Sequence, residues 1–235
     1  MNTRETLLAY GLEADPVCIE RLDTYRRLLR EWNKNIDLTS VPDEETNERH
    51  FADSLLGFRA LPFPLKGRLA DVGTGAGFPG LPLAIWQADL EVTLIDALEK
   101  RCAFLRAVCE ETGLTNVRVL HLRAEDAGRS PELRERFDFA VARAVAPLNV
   151  LCEYLLPLVR LGGQMVCWKG PKAADEMEDG SAAAKVLGGG TPKIHTLSTP
   201  MGERLFICSE KVHSTPSRFP RKSGTPSKKP LQKTV

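Results

Sequence analysis

No run of apolar residues in this 235-residue chain approaches ~18, the length a helix needs to cross a bilayer, so a helical membrane span is excluded. The start, Met1-Asn2-Thr3-Arg4-Glu5-Thr6, has an early acid and no apolar stretch of signal-peptide length, and predicts a cytoplasmic protein. The six cysteines (Cys18, Cys102, Cys109, Cys152, Cys167, Cys208) form no C-x-x-C and no paired spacing. That argues against a zinc or other metal site and against a disulfide framework, and for reduced, mostly buried thiols. Acids are absent from residues 211–235, which hold Lys211, Arg218, Arg221, Lys222, Lys228, Lys229 and Lys233. The other 210 residues carry 25 bases against 31 acids, a net of −6. A mildly acidic body with a basic tail points to a polyanionic partner.

What is present is an ordinary globular composition, 43% hydrophobic and 27% charged, long enough to bury a continuous core. From Pro16 to Asn33, Leu22, Tyr25, Leu28, Leu29 and Trp32 recur at helical steps, behind an Asp15 N-cap. A short extended piece, Asn35–Thr39, follows, then a helix from about Asp43 to Ala60 that stops at the rigid connector Leu61-Pro62-Phe63-Pro64. Past Lys66 short β runs alternate with helices. Strands are predicted at Arg68–Val72, Glu91–Asp96, Val117–Leu122, Phe137–Arg143 and Gly163–Lys169; helices at Leu81–Gln87, Leu98–Thr112, Leu148–Val159 and Ala173–Leu187. Two closing strands, Ile194–Leu197 and Leu205–Ser209, read as an antiparallel hairpin. This is the α/β layout of a Rossmann-like class I methyltransferase: a parallel sheet with a C-terminal antiparallel hairpin, behind a small helical region. The expected divisions are a helical cap over 1–65, the Rossmann-like domain over 66–211 and a Pro/Ser/Lys-rich tail over 212–235.

The sharpest motif is Asp71-Val72-Gly73-Thr74-Gly75-Ala76-Gly77-Phe78-Pro79-Gly80, directly after the first strand. Glycines there let the backbone turn tightly and approach a ligand at the carboxyl end of the sheet. A dinucleotide fingerprint needs glycine where Phe78 stands, and no phosphate-cradling lysine is present, which disfavours an NAD-dependent oxidoreductase. G-x-G-x-G after an acid, with Asp96 ending the second strand to accept from a ribose diol, fits S-adenosyl-L-methionine. Arg123-Ala124-Glu125-Asp126, after the third strand, offers an acid to an adenine amine.

Acceptor class follows from what strand four lacks. Ala142-Arg143-Ala144-Val145-Ala146-Pro147 has no Asp/Asn-Pro-Pro-aromatic tetrapeptide for amino methylation of bases. No cysteine follows a proline, as cytosine C5 chemistry usually has it. Ribose methylation favours an acid where Arg143 stands. An acceptor with its own lone pair remains, such as guanine N7, reached in-line without a general base. Arg143 and Lys169 either hold O6 or a phosphate, or pair with an acid such as Asp71 or Glu125. In duplex RNA the N7 edge lies in a groove too narrow to read, so the base must be unpaired or flipped out.

Several segments together carry a family resemblance: Trp32-Asn33-Lys34-Asn35-Ile36-Asp37-Leu38-Thr39, Arg49-His50-Phe51-Ala52-Asp53-Ser54-Leu55, the glycine loop, Lys100–Leu105, Arg123-Ala124-Glu125, Ala142-Arg143-Ala144, Gly162–Gly170 and Phe219–Leu231. With these the chain resembles the RsmG (GidB) methyltransferases, which methylate guanine N7 in small-subunit ribosomal RNA. Asp37, for the family's usual Asn, and Ala97, for a small polar residue, are minor departures. The resemblance implies cofactor contacts at Gly73, Phe78, Asp96, Ala124, Glu125 and Arg143, with Gly75 and Gly77 in the same loop.

His50 and Asp53 lie three apart, as an RNA-facing or lid pair or, more simply, as a hydrogen-bonded pair fixing their helix. The catalytic candidates are thus Arg143, Lys169 and His50. The tail reads as an RNA-contacting arm, with Phe219 for stacking; RNA contacts are expected at Lys169, Arg218, Arg221, Lys222 and Lys228. The resulting expectation is a monomeric methyltransferase acting on 16S rRNA or a small-subunit assembly intermediate and releasing S-adenosyl-L-homocysteine. The rival readings are a small-molecule methyltransferase, or a non-catalytic ribosome-assembly factor on the same fold.

Overall fold

The computed structural model describes residues 1–59, 61 and 66–232. Its first helix, α1 (Thr3–Ala9), was not anticipated, although its signal is a capping box. Asn2 accepts from the Glu5 N–H at 2.8 Å, and Glu5 accepts from the Asn2 N–H at 3.0 Å. Helix α2 (Pro16–Trp32) starts as its sequence implies, with Asp15 accepting from the Cys18 N–H at 2.7 Å. Residues 35–39 form no strand. The Asn33 side chain holds them as a turn, accepting from the Leu38 and Thr39 N–H groups and donating to the Thr39 carbonyl.

The helix expected from Asp43 to Ala60 is in three pieces: a 3-10 turn (Asp43–Glu45), a π-helical stretch (Asn47–Ala52) and α3 (Asp53–Arg59). Apart from Leu61, the Pro-rich connector lies outside the described residues.

Seven strands make one sheet: β1 (Gly67–Val72), β2 (Leu90–Asp96), β3 (Val117–His121), β4 (Phe137–Arg143), β5 (Val159–Lys169), β6 (Lys193–Thr199) and β7 (Gly202–Glu210). Their order is β3-β2-β1-β4-β5-β7-β6, with β1 to β5 parallel and β7 antiparallel between β5 and β6. The crossover helices are α4 (Gly80–Trp86), α5 (Glu99–Thr112), α6 (Ala124–Arg129) and α7 (Leu148–Leu155); α8 (Met177–Val186) follows β5 behind a 3-10 segment, Pro171–Glu176. Helix α7 ends at Leu155 rather than Val159: Leu156 still has helical backbone, but Pro157 supplies no N–H to continue the ladder. The freed residues lengthen β5 backwards to Val159, across a register shift opposite Phe137–Phe139. Helix α6 lies directly after β3, where the sequence pattern predicts no helix.

The sheet separates two apolar clusters. One joins α1, α2 and α3 with α4 and α5, so the N-terminal helices pack on the same core as the sheet. The other holds α6, α7 and α8, and receives Phe219 and, at its edge, Leu231 from the C-terminal segment. That segment is not a free arm: Phe219 is 5% exposed, and α9 (Thr225–Lys228) packs on α7.

Candidate cofactor site

Strand order reverses between β1 and β4, and ligands of open α/β sheets bind at the carboxyl ends beside such a reversal. The glycine loop leaves β1 there, with Gly73, Gly75 and Gly77 all at positive φ. A Cβ on Gly75 would meet nothing within 4 Å, so this turn of backbone faces open space. Asp96, at the end of β2, fixes it by accepting from the Gly75 N–H (2.9 Å) and the Leu98 N–H (2.9 Å).

Asp71 is wholly buried. One carboxylate oxygen accepts from Thr74 Oγ1 (2.7 Å) and the Gly80 N–H (2.8 Å), while Oδ1 has no hydrogen-bond partner. Burial pushes its carboxyl up to about 6, against those two bonds and the charge of Arg143, which pull it down.

Beside the loop a cavity of about 170 Å³ gathers Gly73, Asp96, Ala124 and Glu125, walled by Val145, Tyr154, Gly224 and Ser227. Sites that enclose a whole ligand usually exceed ~300 Å³, so a larger molecule extends out along the glycine loop. A roomier groove of about 520 Å³, between α1 and α2, shares no residue with the sheet's carboxyl edge.

Gly75, Gly77, Phe78 and Arg143 stand outside the cavity lining. Phe78 is sealed into the junction with the N-terminal helices. His50 stacks on its ring at 4.1 Å, Tyr25 at 5.3 Å, and the Arg143 guanidinium lies 4.9 Å from its centroid. The Tyr25 hydroxyl donates to the Ala76 carbonyl, so α2 buttresses the glycine loop directly.

Arg143 pairs with neither Asp71 nor Glu125. It donates to Asp53 Oδ2 (3.0 Å), His50 Nδ1 (2.9 Å) and the Arg49 carbonyl (3.2 Å). His50 and Asp53 are thus joined through Arg143 rather than to one another, and Asp53 also accepts from Arg204 at 2.9 Å. Because Nδ1 accepts from an arginine, the His50 proton sits on Nε2 and is donated to Thr39 Oγ1 at 2.8 Å. Burial first, then Arg143 and Arg49, push the His50 pKa down to about 3, so the imidazole is neutral.

Lys169 and Arg221, two of the expected RNA contacts, are engaged inside the fold. Lys169 donates to Glu176 (2.6 Å) and the Ala146 carbonyl (2.9 Å), and Arg221 forks onto the buried Glu153 (2.6 and 2.9 Å). Buried Phe219 offers no ring to a base. Arg218, Lys222 and Lys228 are exposed, as is Arg123 at the cavity.

The model of the family described as rRNA small subunit methyltransferase G (GidB) matches residues 18–206. The chain belongs to this family. Relatives named ribosomal RNA small subunit methyltransferase G include one from Alkaliphilus metalliredigens, 43% identical over 225 residues and 94% of each chain. Another, from Desulforamulus reducens, is 45% identical over 212 residues, 89% of this chain and 88% of its own. Among solved structures, a variant of a 16S rRNA (adenine(1408)-N(1))-methyltransferase from Catenulisporales acidiphilia superposes with a TM-score of 0.51 at 15% identity, covering 70% of this chain and 93% of that one. A geranyl diphosphate methyltransferase in complex with SAM gives 0.52 at 12%, covering 68% and 84%. At such identities the likeness is of fold, and the fold is that of Rossmann-like methyltransferases.

In this member of the GidB family the site fits S-adenosyl-L-methionine on its own donors. A buried acid with an unpaired oxygen suits an ammonium, Asp96 suits a diol, and Glu125 suits an amine. Three contributors were not singled out from sequence as site residues. Tyr25 reads as one more core residue of an apolar stripe, though a buried phenol always needs a partner. Thr39 and Arg204 carry no local signal, since their roles exist only through contacts with distant segments.

Proposed function

We propose that this protein transfers the methyl group of S-adenosyl-L-methionine to N7 of a guanine in 16S rRNA, free or in a small-subunit assembly intermediate, in the cytoplasm and as a monomer. S-adenosyl-L-methionine-dependent methylation of small-subunit rRNA is the activity its family membership carries; the acceptor atom and the residue roles are our reading. When bound, the cofactor supplies a methyl group on a positively charged sulfur. The chain's part is to hold and orient. Asp71 takes the ammonium end, Asp96 the ribose hydroxyls, Glu125 the adenine amine with Ala124 beside it, and the Gly73–Gly77 backbone lies alongside. Phe78 and Arg143 lock this loop to the N-terminal helices.

The observation that carries the guanine N7 reading is that His50, Asp53 and Asp96 around the loop are all engaged, while the remaining oxygens of Asp71 and Glu125 are given to the cofactor. Both His50 nitrogens are engaged, Asp53 is held by two arginines, and Asp96 is bonded to backbone N–H groups. An acceptor that must lose a proton to react is poorly served; one with its own lone pair is not. Arg123, Arg218, Lys222 and Lys228 supply the phosphate contacts.

The test is transfer of labelled methyl from S-adenosyl-L-methionine into unmethylated small-subunit RNA and subunits, followed by nucleoside analysis. Label in 7-methylguanosine at one position is expected. Label in any other nucleoside, or none despite bound cofactor, refutes the acceptor. Joint replacement of Lys222 and Lys228 by alanine should lower the salt slope of RNA binding by about two.

A further inference from the structure

Residues 215–232 run along α6 and α7 toward the cofactor cavity, tied down by charge-assisted bonds at each stage. Arg134 donates to the Thr215 carbonyl (2.7 Å) and the Phe219 carbonyl (2.8 Å), and Arg129 to the Pro220 carbonyl (2.8 Å). Arg221 then gives Glu153 its main-chain N–H (2.7 Å) as well as its guanidinium. Glu153 is 0% exposed, and this docking supplies the buried carboxylate with its ion-pair partner and hydrogen bonds. Beyond Arg221 the chain reaches the cavity itself. Ser223 donates to Asp126 (3.0 Å), Gly224 donates its N–H to Glu125 Oε1 (2.6 Å), and Ser227 Oγ donates to the Gly224 carbonyl (3.2 Å). Gly224 and Ser227 both line the cavity.

We propose that the Arg221–Ser227 segment is part of the cofactor site. It forms the outer wall of the adenosine pocket, and the Gly224 main chain fixes the carboxylate that receives the adenine. The proposal rests on the reading that the cavity takes S-adenosyl-L-methionine. The Gly224 N–H occupies one oxygen of Glu125 and leaves the other for a ligand donor. Without it, Glu125 has to be ordered when the ligand arrives, and the pocket loses a side. Arg221 acts at one remove, as a positioning residue that anchors the wall through Glu153. Lys222 within this segment and Lys228 next to it are exposed, so an RNA contact made there lies a few residues from the cofactor.

Gly224 allows a clean test, because it has φ +80° and a Cβ added there would meet nothing within 4 Å. Alanine at this position therefore creates no clash but resists the left-handed backbone, whereas asparagine tolerates it. Binding of S-adenosyl-L-homocysteine to the full chain is measured by calorimetry for wild type, Gly224→Ala, Gly224→Asn and Lys229→Ala. Gly224→Ala should raise Kd about tenfold, the equivalent of one charge-assisted hydrogen bond. Gly224→Asn should recover most of that loss, and Lys229→Ala should bind like wild type. Independently of any variant, saturating S-adenosyl-L-homocysteine should slow tryptic cleavage of the wild-type chain after Lys222 and Lys228 by more than tenfold, because binding and docking stabilise each other reciprocally. Wild-type affinity in Gly224→Ala, or cleavage indifferent to the ligand, overturns the proposal. A wild-type chain that binds neither S-adenosyl-L-homocysteine nor S-adenosyl-L-methionine overturns the cofactor reading beneath it.

Discussion

Arg143→Ala removes the group on which the helical region and the methyltransferase sheet converge. Its guanidinium, with a side chain 15% exposed, serves Asp53, His50, the Arg49 carbonyl and the face of Phe78. Asp53 keeps Arg204 in the variant, so the cost of a fully orphaned buried charge, ~3–5 kcal/mol, is not reached. His50 Nδ1 does lose its donor in a buried setting, which costs ~1–3 kcal/mol. The partly shielded cation–π contact contributes about 1 kcal/mol more. Together these come to about 2–4 kcal/mol, and at ~2–4 °C per kcal/mol for a chain of this length the unfolding midpoint should fall by roughly 5–15 °C. Arg143→Lys should recover only part of the loss, because one ammonium cannot serve three acceptors in a planar fork. Urea and thermal unfolding measure both variants, with calorimetric cofactor titration alongside. If Arg143→Ala costs less than about 1 kcal/mol while cofactor affinity collapses, Arg143 is a ligand group and not a latch between the helical region and the sheet.

Three further outcomes follow from the structure. His50 is neutral in the fold down to about pH 3, whereas the unfolded chain takes up a proton near pH 6.5, so its contribution is complete above 6.5 and is lost as pH falls from there toward 3. Measured against His50→Gln by urea unfolding, wild type should lose stability on acidification with a slope approaching ~1.4 kcal/mol per pH unit; parallel curves would contradict the burial argument. Gly75→Ala places a methyl in the open space beside the loop at φ +60°, so cofactor affinity should drop while the unfolding midpoint moves by only a few degrees. Gly57→Ala is the counterpart, since its Cβ would overlap the Trp168 indole; it should cost ~1–3 kcal/mol and perturb tryptophan fluorescence. Equal cofactor affinity in Gly75→Ala and wild type would mean that the loop does not face the ligand.

Local chemistry alone settled the alternation of strands and helices, the hairpin after the parallel strands, and the glycine loop behind an acid. Each rests on residues adjacent in the chain: β-branched runs for strands, Asp15-Pro16 for a helix start, and closely spaced glycines for a turn. Boundaries were legible only where the breaker was weighed, as Pro157 shows by ending α7 early and lengthening β5. Tertiary structure decided the rest. Arg143 was recognisable as a cation at the sheet edge, but its partner is Asp53, ninety residues away, and no pattern within either segment encodes that pairing. The tail shows the same limit more sharply. A run of Pro, Ser, Lys and Arg without acids has the composition of a solvated arm, and only the buried Glu153, sixty-eight residues earlier, turns Arg221 into an anchor and brings Gly224 to the cofactor pocket. Composition reports what a segment does in water, while the fold determines whether a buried charge elsewhere needs it.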